Sequence, residues 1–120
     1  MKLNHLALSV RDQDRSIEFY ARYFGFDPES ARGYPDGVII VRGADGFSLA
    51  LGPEPGDAAR RDPGFPHFGF EMETPDEARA LRARLVEDGV ELVEDEDTPD
   101  YVGCKCLDPD GHVIELAWEP

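Results

Sequence analysis

The chain has 120 residues, 41% of them hydrophobic and 32% charged, the composition of one globular domain with no room for a second large core. Twelve Lys and Arg stand against 26 Asp and Glu, a formal net charge of −14, which argues against binding to nucleic acid or to anionic membrane surfaces. No apolar run approaches the ~20 residues that span a bilayer, and Met1-Lys2-Leu3-Asn4-His5 lacks the apolar stretch of a signal peptide. A cytoplasmic location is therefore expected, with Cys104 and Cys106 as reduced thiols.

In chain order, alternating residues from Leu3 predict a first strand. A helix follows from about Asp12, with Ile17, Tyr20 and Phe24 on one face and a stop before Gly25. Strands are expected at about 26–32, 36–42 and 46–52, the first of them weak because Pro28 interrupts it. The stretch from Pro53 to Pro66, rich in Gly, Pro and Asp, reads as a linker. A second leading strand at Phe68-Gly69-Phe70 precedes Thr74-Pro75-Asp76-Glu77, a capping box with Pro at the first helical position. Ala78, Leu81 and Leu85 continue that helix to Gly89. Strands at about 90–94, 100–107 and 112–118 complete the chain, with the acidic run 91–97 expected to be a solvated strand end and loop.

The two halves are one unit written twice. Residues 44–55, from Ala44-Asp45-Gly46 to Glu54-Pro55, lie over 109–120, from Pro109-Asp110-Gly111 to Glu119-Pro120. Upstream, Leu3-Asn4-His5-Leu6-Ala7-Leu8 lies over Phe65-Pro66-His67-Phe68-Gly69-Phe70. Each half reads β-α-β-β-β, giving a first module at about 1–55, a linker at about 53–65 and a second module at about 66–120.

Strand alternation sorts the side chains into two faces. Leu6, Leu8 and Val10, then Phe68, Phe70 and Met72, then Ile114, Leu116 and Trp118 form apolar rows for the helices to cover. The opposite face carries His5, His67 and Glu115 among small residues. A Glu between Ile114 and Leu116 is costly to bury unless its charge is compensated. Two His and one carboxylate are donors for Mn, Fe, Ni, Co or Zn, with positions left open for water or substrate. The position in the first half equivalent to Glu115 is Ala50, which cannot coordinate. Ser9, Ser48, Glu71, Tyr101 and Lys105 are candidate substrate-lining residues, with Arg42 and Tyr34 as weaker ones. The register leaves open whether Lys105 or the two cysteines face the cavity, with Lys105 favoured because buried thiols behave as small hydrophobes. Lys105 would then hold an anionic substrate or pair with Glu71. No residue stands out as a general base.

Leu3-Asn4-His5-Leu6-Ala7-Leu8, Ser16-Ile17-Glu18-Phe19-Tyr20 leading to Phe24-Gly25-Phe26, Pro66-His67-Phe68-Gly69-Phe70, and Leu107-Asp108-Pro109-Asp110-Gly111-His112-Val113-Ile114-Glu115-Leu116 together resemble the vicinal oxygen chelate superfamily of glyoxalases, bleomycin-resistance proteins and dioxygenases. The resemblance implies an α+β fold in which two tandem βαβββ modules form an open, incomplete β-barrel with helices on its outer face. It also implies a homodimer with sites at the subunit interface, where His5 of one chain joins His67 and Glu115 of the other around one divalent metal ion. Glyoxalase I proper is disfavoured because Ala50 stands where those enzymes carry a Glu, and two-module-pair dioxygenases are longer. Fosfomycin-modifying transferases share the His, His and Glu positions but expect a hydroxyl residue at Ala7 and more basic groups. The resemblance thus favours a metal-dependent lyase, transferase or isomerase acting on a small oxygenated substrate. The alternative is a metal-free protein of the bleomycin-resistance type that sequesters a cationic or aromatic drug, a role that the negative charge suits.

Overall fold

A computed structural model of the chain describes residues 1–54 and 64–120, so most of the expected linker lies outside the described residues. The chain divides into two compact units, Met1–Ala59 and Arg60–Pro120. In the first, β1 (His5–Val10) leads into α1 (Gln13–Phe24), followed by β2 (Asp27–Gly33), β3 (Ile39–Arg42) and β4 (Ser48–Pro53). In the second, β5 (Phe68–Glu71) leads into α2 (Pro75–Glu87), followed by β6 (Leu92–Thr98), β7 (Tyr101–Leu107) and β8 (Val113–Trp118). The sheet orders are β1-β4-β3-β2 and β5-β8-β7-β6, with the first pair of each parallel and the rest antiparallel. The architecture is α+β, two open four-stranded mixed sheets with one helix each, and the β-α-β-β-β reading of both halves holds.

Both helices begin at side chains that satisfy otherwise unpaired amides. Asp12 accepts from the Arg15 N–H at 3.0 Å, and Thr74 Oγ1 accepts from the Glu77 N–H at 3.1 Å. Gly25, at φ 73°, closes α1 in the left-handed conformation that glycine adopts without strain. Ile17, Phe19 and Tyr20 of α1 are buried with Val41, Leu49 and Leu51 of the first sheet. In the second unit α2 packs on β7 and β8, burying Ala78, Leu81 and Leu85 with Cys104, Cys106, Ile114 and Leu116. Fully buried side chains such as Leu85, Ile114 and Leu116 each contribute about 1.5–3 kcal/mol. The apolar rows assigned by alternation are thus the helix-covered faces, and no helix among the described residues is long and apolar enough to cross a membrane.

The weakest expected strand forms and the acidic run departs from expectation, each for a physical reason. β2 forms despite Pro28 because it is an edge strand, where a missing N–H interrupts nothing, and its pairing with β3 shifts register between Asp27 and Arg32. The acidic run is strand, not loop: β6 extends to Thr98 as the edge of the second sheet. Its alternate carboxylates are claimed from two sides. Asp95 and Asp97 receive the Arg82 and Arg79 guanidinium groups of α2, Arg79 Nε donating to Asp97 at 2.8 Å, while Glu94 pairs with Lys105 Nζ at 2.8 Å.

The Arg82 hydrogen bonds hold the Asp95 carboxyl below its ordinary value. A carboxylate with a lowered folded-state pKa adds stability above the ordinary Asp pKa, about 4, and that stability fades as pH falls through the lowered value. The stability difference between the wild type and Asp95→Asn is therefore expected to be present at pH 6 and to shrink steadily below about pH 4. Urea unfolding across that range checks this; a difference independent of pH would contradict the pairing.

Candidate functional site

The exposed face of the second sheet is organised by the register around Glu115. Glu115 lies between Gly69 of β5 and Lys105 of β7, and the next row is Glu71, Ala117 and Gly103. This fixes which side of β7 looks outward: Lys105 shares the face of Glu115, and Cys104 and Cys106 point into the helix-covered core. Burial raises the Cys104 thiol to about 11 and the Cys106 thiol to about 12. Neither is a ready nucleophile. The folded protein is accordingly expected to react with DTNB at pH 8 only on unfolding; release of two equivalents of thionitrobenzoate from native protein would refute the burial.

His67 stands one residue before β5, and its ring is held from both ends. Nδ1 lies 2.7 Å from the Phe65 carbonyl oxygen, and Nε2 lies 3.1 Å from Glu115 Oε2. A carbonyl can only accept, so Nδ1 carries the hydrogen, and Nε2 is the ring atom turned toward the carboxylate. At 3.1 Å the two atoms attract when a positive centre lies on or between them, a proton on Nε2 that makes this a hydrogen bond or a metal ion bound by both. The Phe65 ring stands edge-on to the imidazole with centroids 5.7 Å apart. The side chains of His67 and Glu115 are 22% and 26% exposed, so the pair is within reach of solvent.

The other oxygen of Glu115 is also committed. Tyr101 Oη donates to Glu115 Oε1 at 2.6 Å, a short, charge-assisted bond. Burial and this bond raise the Tyr101 phenol above its ordinary value. Next to Glu115, a Cβ on Gly69 would lie 3.3 Å from both Glu115 Cβ and its carbonyl oxygen, so glycine there keeps the carboxylate uncrowded. A recess of about 280 Å³ opens beside it, lined by Gly69, Phe70, Glu71, Glu115, Ala117 and Glu119.

The first unit repeats the pattern without the carboxylate. His5, Ser48 and Arg42 form one row, and Ala7, Ala50 and Ile40 the next. Ala50 occupies the register position that Glu115 holds in the second unit. His5 Nδ1 lies 2.8 Å from Asn4 Oδ1. Ser9 lies opposite Gly52 at the far end of β1, and Tyr34 is an exposed residue whose N–H bonds the Val38 carbonyl in a turn.

Of the residues singled out from sequence, the second unit joins His67, Glu115 and Tyr101 by direct hydrogen bonds and sets Glu71 on the adjoining recess. Lys105 is beside Glu115 in register, but it pairs with Glu94 and not with the Glu71 considered from sequence. Among the described residues no group of three or more His, Cys, Asp or Glu side chains is gathered to hold a metal. Sequence reasoning missed the Phe65 carbonyl that sets the His67 tautomer, because backbone acceptors leave no residue-type signal. Glu119 was also missed, although it continues the 115, 117, 119 face.

Two open βαβββ sheets, the second presenting a paired imidazole and carboxylate, define a fold of the vicinal oxygen chelate type. The sequence profile of the Glyoxalase/Bleomycin resistance protein/Dioxygenase superfamily matches residues 2–116, and the chain belongs to that superfamily. It is 29% identical over 125 residues to a trivalent organoarsenical cleaving enzyme of Bacillus sp. (strain MD1), covering 98% of this chain and 73% of that enzyme. A possible glyoxalase from Bacillus cereus superposes with a TM-score of 0.75 at 27% identity, covering 97% of each chain. The fosfomycin resistance protein FosX of Listeria monocytogenes, complexed with Mn(II) and sulfate, shares the fold with a TM-score of 0.78 at 19% identity, covering 99% of this chain and 90% of FosX.

Proposed function

We propose that this protein is a metal-dependent enzyme that binds one divalent cation through His67 and Glu115, with His5 of the partner subunit as third ligand in a homodimer. The observation that carries the reading is the convergence of Nε2 of His67 and Oε2 of Glu115, 3.1 Å apart, with the opposite edge of each group already hydrogen-bonded. Two donors this close could both hold one cation, each being of a type that binds divalent transition metals. His67 is also backed as metal-binding imidazoles are, by an acceptor on its other nitrogen. Mn, Fe, Co, Ni and Zn all suit an imidazole and carboxylate donor set.

What a cation held there supplies is Lewis acidity toward substrate oxygens. The protein's part is to hold Glu115 oriented, to keep the hydrogen of His67 on Nδ1, and to leave the recess of about 280 Å³ free for a small oxygenated substrate. Lyase, transferase and isomerase reactions all fit this arrangement. The relative that cleaves trivalent organoarsenicals points to another substrate, but trivalent arsenic is thiophilic. The only two thiols of this chain are buried on the helix side of β7, which favours an oxygen-donor substrate here.

A second reading has its own support. Among the described residues the recess is lined by Glu71, Glu115 and Glu119 and by no basic residue, which suits a metal-free protein that sequesters a cationic small molecule. Metal analysis separates the two. Protein purified without chelator is expected to carry stoichiometric divalent metal that EDTA removes, whereas metal-free protein that binds a cationic aromatic ligand equally well with and without EDTA would overturn the enzyme reading.

A further inference from the structure

The geometry points to Tyr101 as a positioning residue for Glu115: its hydroxyl fixes the carboxylate so that Oε2, and not Oε1, is presented beside His67. This inference rests on the metal-site reading above and extends it to the group that orients the site's one carboxylate.

Tyr101 and Glu115 are not cross-strand neighbours. The register pairs Gly103 with Ala117 and Lys105 with Glu115, so Tyr101 stands two same-face positions away from the residue opposite Glu115. The two side chains meet at 2.6 Å by reaching toward each other along the strands. Between them lies the row of Gly103 and Ala117, which together carry a single methyl group. A larger residue at either position would occupy the path of the phenol. The neighbouring long side chain that could compete for Glu115 is Lys105, and it is drawn toward the edge strand by Glu94 at 2.8 Å. Glu115 is consequently anchored by a neutral donor that removes none of its charge.

A carboxylate with two equivalent oxygens has several rotamers on an open sheet face. One hydrogen bond to Oε1 selects the rotamer in which Oε2 meets His67 Nε2. Outer-shell partners of this kind typically change metal affinity by about 10–100-fold. Tyr101→Phe removes the hydroxyl and keeps the ring, so the packing of β7 is preserved.

The test compares the wild type, Tyr101→Phe and Ala117→Leu in two measurements. In metal-free protein, the Glu115 side-chain carboxyl carbon resonance is followed by NMR. Mn(II) and Zn(II) affinities are then measured by calorimetry. Tyr101→Phe is expected to move the Glu115 resonance and to weaken metal binding by about 10-fold or more, with thermal unfolding changed by only a few degrees. Ala117→Leu is expected to reproduce both effects by blocking the path. An unmoved Glu115 resonance in metal-free Tyr101→Phe overturns the positioning role, as does unchanged affinity in that variant while the wild type binds metal. Failure of the wild type to bind either metal would instead refute the metal-site reading, and the resonance of the metal-free protein still decides whether Tyr101 orients Glu115.

Discussion

Replacing His67 with alanine is expected to lower the affinity for the divalent metal by at least two orders of magnitude, more than the roughly 10–100-fold typical of outer-shell substitutions. The expectation follows from the donor count. If His5 of the partner subunit completes the site, each metal has three protein ligands, and the imidazole is the one whose tautomer the backbone has already fixed. Its loss leaves Glu115 anchored by Tyr101 but facing solvent, where the 26%-exposed carboxylate is hydrated at little cost. The fold should survive, because His67 precedes β5 and is not among the buried core side chains. Metal content of the purified variant, with circular dichroism as the check on folding, tests this. Stoichiometric metal retained by His67→Ala would remove the basis of the proposal. Mixing His67→Ala with His5→Ala chains extends the test: a ligand set shared between subunits lets a mixed dimer regain one intact site, whereas a set drawn from one chain does not.

The sequence carried the features that depend on local rules. Asp12 and Thr74 announced the helix starts, and Gly25 the end of α1, because caps are chosen by residues one or two positions away. Period-two alternation was enough to separate Leu116 from Glu115 and, with the favoured register, Cys104 from Lys105. What it could not supply were contacts made by reach or by backbone. Asp95 and Asp97 read as a solvated run because their arginines lie 13 and 18 residues earlier on α2, and nothing local marks the match. The hydrogen bond from Tyr101 to Glu115 was equally hidden: it skips the adjacent row and becomes visible only once Gly103 is seen opposite Ala117. His67 and Glu115 were legible as a pair through the repeat. Their orientation was not, since it depends on the Phe65 carbonyl.

Gly103→Ala is expected to lose about 3 kcal/mol of stability, at the upper end of what overpacking costs. The residue is not required here for a left-handed backbone; the close approach of β8 excludes a side chain. A Cβ at position 103 would press inside contact distance of the Leu116 carbonyl oxygen and come within 2.9 Å of Ala117 Cα and Cβ. Two of those three neighbours are backbone atoms, which cannot rotate away as a flexible side-chain end would. Relief therefore requires β7 and β8 to separate or twist, and that movement disturbs the pairing of Lys105 with Glu115 one row away. For a chain of this length the expected fall in Tm is roughly 10 °C or more. Weakened metal binding should accompany it, because the same methyl stands in the gap that Tyr101 and Glu115 cross. A contrasting substitution isolates the cause. Gly69→Ala places its Cβ 3.3 Å from Glu115 Cβ and carbonyl oxygen, a milder crowding that shifts of a few tenths of an ångström can absorb. It should cost much less stability while still moving the carboxylate. Thermal unfolding of the two variants side by side decides the matter: equal losses would mean that general crowding of β8 is responsible, and a Gly103→Ala protein as stable as the wild type would show that the two strands have slack where the structure brings them closest.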